Sequence, residues 1–345
     1  MPAPTRLLML CLLAGLKVCV TGCGTRPASD PCQGASISSI TESNFNETGS
    51  KQALPLYRAN GNPYEPGPLE VQSRRLTPCE AECPMLLDIY APAAPGRYAL
   101  IQFQHGFMVD IGYYSELLRH LASHGFVVVA PQAYPPGGFP FGQPSVEEEA
   151  AGLLAVADWA SVHLDRIAGV ATDPVGRGLA GHSRGGKVAW LAASLAPERF
   201  RALAGVDPMD GTLGGWTRVI NGPFSFELPS LIIGAGLGSL PAKVPGVVCA
   251  PEGENHERFY AASPSPSWHA IVPEGGHADI LNDDLSGCGP PCSYCPSGPN
   301  PAGMRQLTAG LLAAFFRMTL QDDHEAITYL TDPGAAPMLM TIESR

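Results

Sequence analysis

Apolar residues recur along the chain in two rhythms, and the change from one to the other predicts its elements. "LEVQSRRLTP" and "MLLDIYAPA" read as two strands ahead of the main core. "YALIQFQHGF" is an apolar run ending in His105-Gly106, which predicts a buried strand and then a sharp turn. "YYSELLRHLASHG" follows with helical periodicity and a stop at Gly125, and "FVVVAPQAY" is the next buried strand. "SVEEEAAGLLAVADWASVHL" is the clearest amphipathic helix, with Ser145 as its expected N-cap and three glutamates in its first turn. Beyond it, "GRGLAGHS" reads as a strand, "KVAWLAASLA" as a helix, and "RALAGVDP" and "LPSLIIGAG" as further strands. "WHAIVPE" is strand-like and precedes a helix-like segment, and "MRQLTAGLLAAFFRMTLQ" is the last helix.

Strands near-continuous in Val, Ile, Leu and Ala, alternating with helices, predict an α/β fold with a mainly parallel central sheet and helices on both faces. In such a sheet, loops at the carboxyl ends of the strands collect the chemistry. The expected organisation is a targeting segment over 1–23, a polar extension over 24–60, one catalytic domain over 61–330 and a C-terminal tail over 331–345.

Among the 345 residues the net charge of −11 argues against nucleic acid, since few cations are available to neutralise phosphates. The first 23 residues place one arginine before a short apolar segment and then small residues, the layout of a secretory signal peptide. Lys17 interrupts the run, which is too short for a transmembrane helix. Two other readings stay open: a lipid-modified Cys23 in "VTGC", and a plastid transit peptide, because the segment has no acidic residue. Asn46-Glu47-Thr48 is a glycosylation sequon and agrees with export. Outside that segment stand Cys32, Cys79, Cys83, Cys249, Cys288, Cys292 and Cys295. Cys79 with Cys83, and Cys288 with Cys292 and Cys295, sit in Pro/Gly-rich loops and read as disulfides, ahead of a zinc site on the second cluster, for which no fourth ligand is spaced nearby. Seven is odd, so one thiol should stay free or pair with Cys23.

Gly181-His182-Ser183-Arg184-Gly185 falls between a predicted strand and a predicted helix, the setting in which G-x-S-x-G carries a nucleophile and not a chance match. Ser183 Oγ would stand at a helix N-terminus, where developing negative charge is favoured. The serine needs a base and the base an orienting acid. His277 in "PEGGHADIL" suits the base, because the remaining histidines fall in helices or turns, with His256 and His269 as competitors. The strand end where an acid is commonest, "LIIGAGLGSL", holds none, so Asp207 directly off the preceding strand is the choice. Asp210 reads better as a turn cap and Asp279 as a brace for the His277 loop. Backbone N–H groups of Phe107 and Arg184 are the expected oxyanion donors.

"FQHGF", "YYSELLRHLASHGFVVVAPQAY", "GHSRGGK", "GVDPMDG" and "GGHADILND" together resemble plant and algal chlorophyllases, in the same order and at compatible spacing over about residues 65–325. The resemblance implies the α/β-hydrolase fold and hydrolysis of the ester that joins phytol to the chlorophyll macrocycle. It carries a triad onto Ser183, Asp207 and His277 and requires no metal cofactor. The cysteine-rich loop at 288–295 and the long N-terminal extension depart from the pattern and leave location open, secretory or plastid. A flat, greasy substrate calls for a wide pocket with aromatic residues at its rim and for peripheral contact with a membrane. Loops 134–144 and 214–226 supply Tyr134, Phe139, Phe141, Trp216 and Phe224 as substrate-binding candidates. The rival readings are a general lipase, polyesterase or phospholipid acyl-hydrolase with the same triad, and a non-enzymatic pigment- or ligand-binding module.

Overall fold

The structure is a computed structural model that describes residues 54–78, 80–135, 143–211, 217–289 and 292–345. Among these residues nine strands form one sheet: β1 Val71–Leu76, β2 Leu87–Pro92, β3 Arg97–Gln104, β4 Phe126–Pro131, β5 Ala171–His182, β6 Ala202–Val206, β7 Ser230–Ala235, β8 Ser267–Val272 and β9 Thr341–Ser344. Their spatial order is β1-β2-β4-β3-β5-β6-β7-β8-β9. The strands from β3 to β8 pair in parallel, while β1, β2 and β9 are antiparallel to their neighbours. This is the mainly parallel α/β-hydrolase sheet, in which Ser183, Asp207 and His277 each follow the carboxyl end of a parallel strand.

Among the described residues the α-helices that cover it are α1 Ser115–Ser123, α2 Val146–Ala168, α3 Arg184–Leu195, α4 His256–Ala262 and α5 Pro301–Leu320. One core layer packs α1 and α5 against Ile101, Phe103, Val128 and Val206. On the opposite face Trp190 of α3 and Phe259 of α4 meet edge to face with centroids 5.3 Å apart, over Leu179, Leu203 and Ile232. Because both faces are covered, the inner strands have no polar face to alternate with, which is why they read as continuous apolar runs. Ser145 caps α2 as its sequence implies. Its hydroxyl accepts from Glu148 N, the Glu148 carboxylate accepts from Ser145 N, and Gly169 ends the helix in the left-handed region at φ 70°.

Two expectations differ from the structure, and one helix lies where none is predicted. The C-terminal tail expected over 331–345 ends in β9, which pairs Thr341–Ser344 with β8 and extends the sheet. The helix-like segment after His277 folds instead as successive turns, Asp279 N donating to Gly276 O and Leu281 N to Ala278 O. There Asp279 accepts from Gly276 N in its own turn, and Asn282 reaches across to Gly112 O and Glu116 N. Conversely, polar "NHERFYAA" forms α4, capped by Asn255.

Cys249 is bonded to Cys295, with Cα atoms 5.9 Å apart, and Cys288 to Cys292. Those bonds use all three thiols of the cluster that also suggested zinc. Cys83 is a buried free thiol whose Sγ–H meets the Met85 carbonyl, and Cys79 lies outside the described residues.

Candidate active site

Strand β5 runs into Ser183 and α3 begins at the next residue. Ser183 has φ 54° and ψ −123°, a backbone conformation that costs a side-chain-bearing residue energy unless its surroundings enforce it. They do so through the main chain. Ser183 N donates to Val206 O, and Ser183 O accepts from the N–H groups of Gly186 and Met209. A Cβ on Gly181 would come within 2.3 Å of Gly185 O, and one on Gly185 within 2.3 Å of Gln104 O. Only glycine at both positions lets strand and helix close to this distance, and that closeness presents the Ser183 side chain at the sheet edge.

Asp207 leaves β6, also at positive φ, and His277 follows β8. His277 Nε2 lies 2.9 Å from Ser183 Oγ, and His277 Nδ1 lies 2.5 Å from Asp207 Oδ2. All three side chains are buried. Asp207 Oδ1 accepts from Ala235 N at 3.1 Å. Burial works against ionisation of the Asp207 carboxyl. The His277 hydrogen bond, the nearby His277 and His256 rings and the Ala235 N–H outweigh it and hold the group below its usual range. This arrangement can move a proton from the hydroxyl to the imidazole and stabilise the imidazolium that results.

The competing carboxylates are occupied elsewhere. Asp210 accepts from Val219 N and Ile220 N and from the Arg258 guanidinium. Asp279 accepts from Gly276 N, Ser297 Oγ and Gly298 N, bracing the His277 loop against the chain after Cys295. His256 and His269 hydrogen-bond each other at 2.8 Å, and His269 continues to Glu343 of β9.

Phe107 sits on the turn after β3, half-buried, and Met108 beyond it has φ 61°. Buried groups lock that turn from behind. His105 Nδ1–H donates to Gly106 O, and His105 Nε2 accepts from Ala133 N. Burial pushes the His105 ring down to about 4, so the imidazole stays neutral and can do both. Tyr134, expected at a substrate rim, is buried here: its hydroxyl accepts from Met108 N and its ring lies edge-on to His105, centroids 5.0 Å apart. Phe224 also packs inward, stacking on Phe226 at 5.1 Å beside the α3 layer. Phe139, Phe141 and Trp216 lie outside the described residues. Beside this turn a cleft of about 550 Å³ is lined by Met108, Asp110, Tyr113, Asn282, Asp284 and Cys288.

The Arg184 side chain enters a buried polar knot. Its Nε donates to Glu149 at 2.6 Å and its Nη2 to Pro144 O at 2.9 Å, with the guanidinium 5.9 Å from the Phe107 ring centroid. Burial raises the Glu149 carboxyl to about 6 despite this partner. Lys187, buried one turn further along α3, donates to Asp210 O and Thr217 O, and burial lowers its ammonium to about 8. Both cations thus join the loops that flank residues 136–142 and 212–216 to the first turn of α3. In the sequence Glu149 stands out only as a first-turn glutamate; its single signal is its place on the inward face of an amphipathic helix.

Comparison with known proteins fits this geometry. A family model described as Chlorophyllase matches residues 59–344. Chlorophyllase-2 of Arabidopsis thaliana is 33% identical over 265 residues, which cover 72% of this chain and 82% of that protein. Chlorophyllase-1 of the same plant is 34% identical over 304 residues, 79% of this chain and 89% of the relative. A chloroplastic chlorophyllase-1 of Citrus unshiu is 34% identical over 277 residues, 76% and 81% of the two chains.

Proposed function

The chain belongs to the chlorophyllase family and is a carboxylic-ester hydrolase, and from that premise we propose that it cleaves chlorophyll to chlorophyllide and phytol through Ser183, His277 and Asp207. His277 Nε2 takes the Ser183 proton as Oγ attacks the ester carbonyl, while Asp207 holds the ring and stabilises its charge. The backbone N–H groups of Phe107 and Arg184 receive the oxyanion. The tetrahedral intermediate collapses, phytol departs with the proton from His277, and an acyl-enzyme remains on Ser183. Water, deprotonated by the same imidazole, attacks that ester and releases chlorophyllide with the serine restored. The observation that carries this reading is the unbroken line from Ser183 Oγ through His277 to Asp207, at 2.9 and 2.5 Å, on a strained elbow.

Loops 134–144 and 214–226 would frame the substrate, with Phe139, Phe141 and Trp216 as its aromatic contacts, approached as a peripheral visitor to a membrane. Among the described residues no helix is long and apolar enough to cross one. The chloroplastic names of the Citrus relatives favour the plastid reading of the N-terminal segment over the secretory one. Purified protein incubated with chlorophyll should release phytol and chlorophyllide. An enzyme that hydrolyses nitrophenyl esters but yields no chlorophyllide would be a general esterase, and one inert to both would be a binding module.

A further inference from the structure

Two buried side chains with no part in the steps above connect the turn that carries Phe107 to the loop that carries His277. The Tyr114 hydroxyl accepts from Gly106 N at 2.9 Å and lies 2.8 Å from His182 Nδ1. His182 Nε2 lies 2.9 Å from the carbonyl of His277 itself. That carbonyl can only accept, so His182 Nε2 must carry the ring proton and Nδ1 must be the acceptor. Tyr114 therefore spends its one proton on His182 and its lone pair on Gly106. Every donor and acceptor along the line has one assignment. Burial pushes the His182 ring down to about 3, so it stays neutral at working pH and the His277 carbonyl sets its tautomer.

The surroundings are shaped to the line. Tyr114 and His182 are buried, and the His182 and His277 rings lie 4.8 Å apart. A Cβ on Gly106 would fall 2.9 Å from His182 Nδ1 and 3.0 Å from the Tyr114 hydroxyl, so a side chain there would force the bridge apart. His182 also directly precedes Ser183, so one residue touches the nucleophile's elbow, the base's main chain and, through Tyr114, the oxyanion turn.

We propose that Tyr114 and His182 form a positioning bridge that holds the Phe107 amide and the His277 imidazole in mutual register around the reacting ester. This rests on the catalytic reading of Ser183 and His277 above. Neither residue touches substrate. They act through the backbones of Gly106 and His277, where a displacement of a fraction of an ångström weakens transition-state contacts more than ground-state binding.

The test uses a soluble nitrophenyl ester and three variants in the full chain, each counted by active-site titration so that only folded enzyme is compared. Tyr114→Phe keeps the ring and removes the hydroxyl; it should lower kcat about ten-fold with KM within about two-fold. His182→Leu should cost about a hundred-fold, and His182→Gln, whose amide can still donate to the His277 carbonyl, should recover most of that loss. Affinity for a boronic acid that mimics the tetrahedral intermediate should fall in the same proportion as kcat. If His182→Leu does not fold, Tyr114→Phe and His182→Gln decide. Folded variants with wild-type kcat and wild-type boronate affinity would overturn the bridge. Ser183→Ala run alongside separates the two ideas: retained activity there would sink the catalytic reading, whereas loss there with unaffected bridge variants sinks the bridge alone.

Discussion

The Ser183 elbow and the His277 loop meet at the carboxyl ends of the strands but are held there by different means. The Ser183 backbone is held by main chain: Gly181 and Gly185 leave no room for a Cβ, and backbone bonds reach Val206, Gly186 and Met209. The His277 loop is longer, and side chains from distant segments hold it. Asp279 gathers Gly276, Ser297 and Gly298, His182 takes the His277 carbonyl, and the Cys249–Cys295 bond secures the chain just before Ser297. A strained conformation needs dense, local enforcement, which backbone packing provides. A histidine that meets a serine 94 residues away needs long-range ties.

Breaking the chemistry at either end should have the largest effect. Ser183→Ala or His277→Ala should cut kcat about a million-fold, measured on any ester that the wild type turns over. Asp207→Asn should leave the fold intact and cost about ten-thousand-fold, because the amide no longer favours the required His277 tautomer; if Asp210→Asn is the more damaging change, the acid is misassigned. Asp279→Ala strips three donors of their acceptor in the base's loop; it should lower kcat about ten-fold and stability by about 2 kcal/mol, read by kinetics and denaturant titration. Replacing Cys249 and Cys295 together by serine should leave the rate within about three-fold at 25 °C while removing about 4 kcal/mol of stability, by the loop-entropy estimate for this span.

Acid should act on stability with no mutation at all. Burial lowers the rings of His105, His124 and His182 to about 4, 4 and 3, whereas in the unfolded chain they would titrate near 6.5. The unfolded state then binds more protons across that interval, so stability falls as pH drops below 6.5 and is regained on return. The thermal midpoint should be lower at pH 5 than at pH 7, and His124→Gln, remote from the reacting groups, should narrow the gap.

Short-range features were legible in the sequence, and features that depend on distant partners were not. "GLAGHSRGGK" showed the elbow because strand, turn and helix are contiguous there, and the apolar runs before Asp207 and His277 placed both residues at strand ends on the edge where Ser183 lies. Spacing carries no trace of Arg184 meeting Glu149 across 35 residues, or of His182 meeting the His277 carbonyl across 95. Strand β9 was hidden because "TIES" is short and largely exposed, with no apolar alternation to mark it. Tyr134 was placed at a rim because it opens a Pro/Gly-rich loop, but its hydroxyl finds Met108 N and its ring finds His105, and those internal partners bury it.

The central claim is that Ser183, activated by His277, is the nucleophile of an ester hydrolase, and labelling with a fluorophosphonate tests it most directly. The wild type should be modified stoichiometrically at Ser183, as located by peptide mass analysis, with hydrolysis lost in step. His277→Ala should be labelled orders of magnitude more slowly. Folded protein that hydrolyses esters while Ser183 stays unmodified, or that keeps its full rate after Ser183 is blocked, would contradict the account.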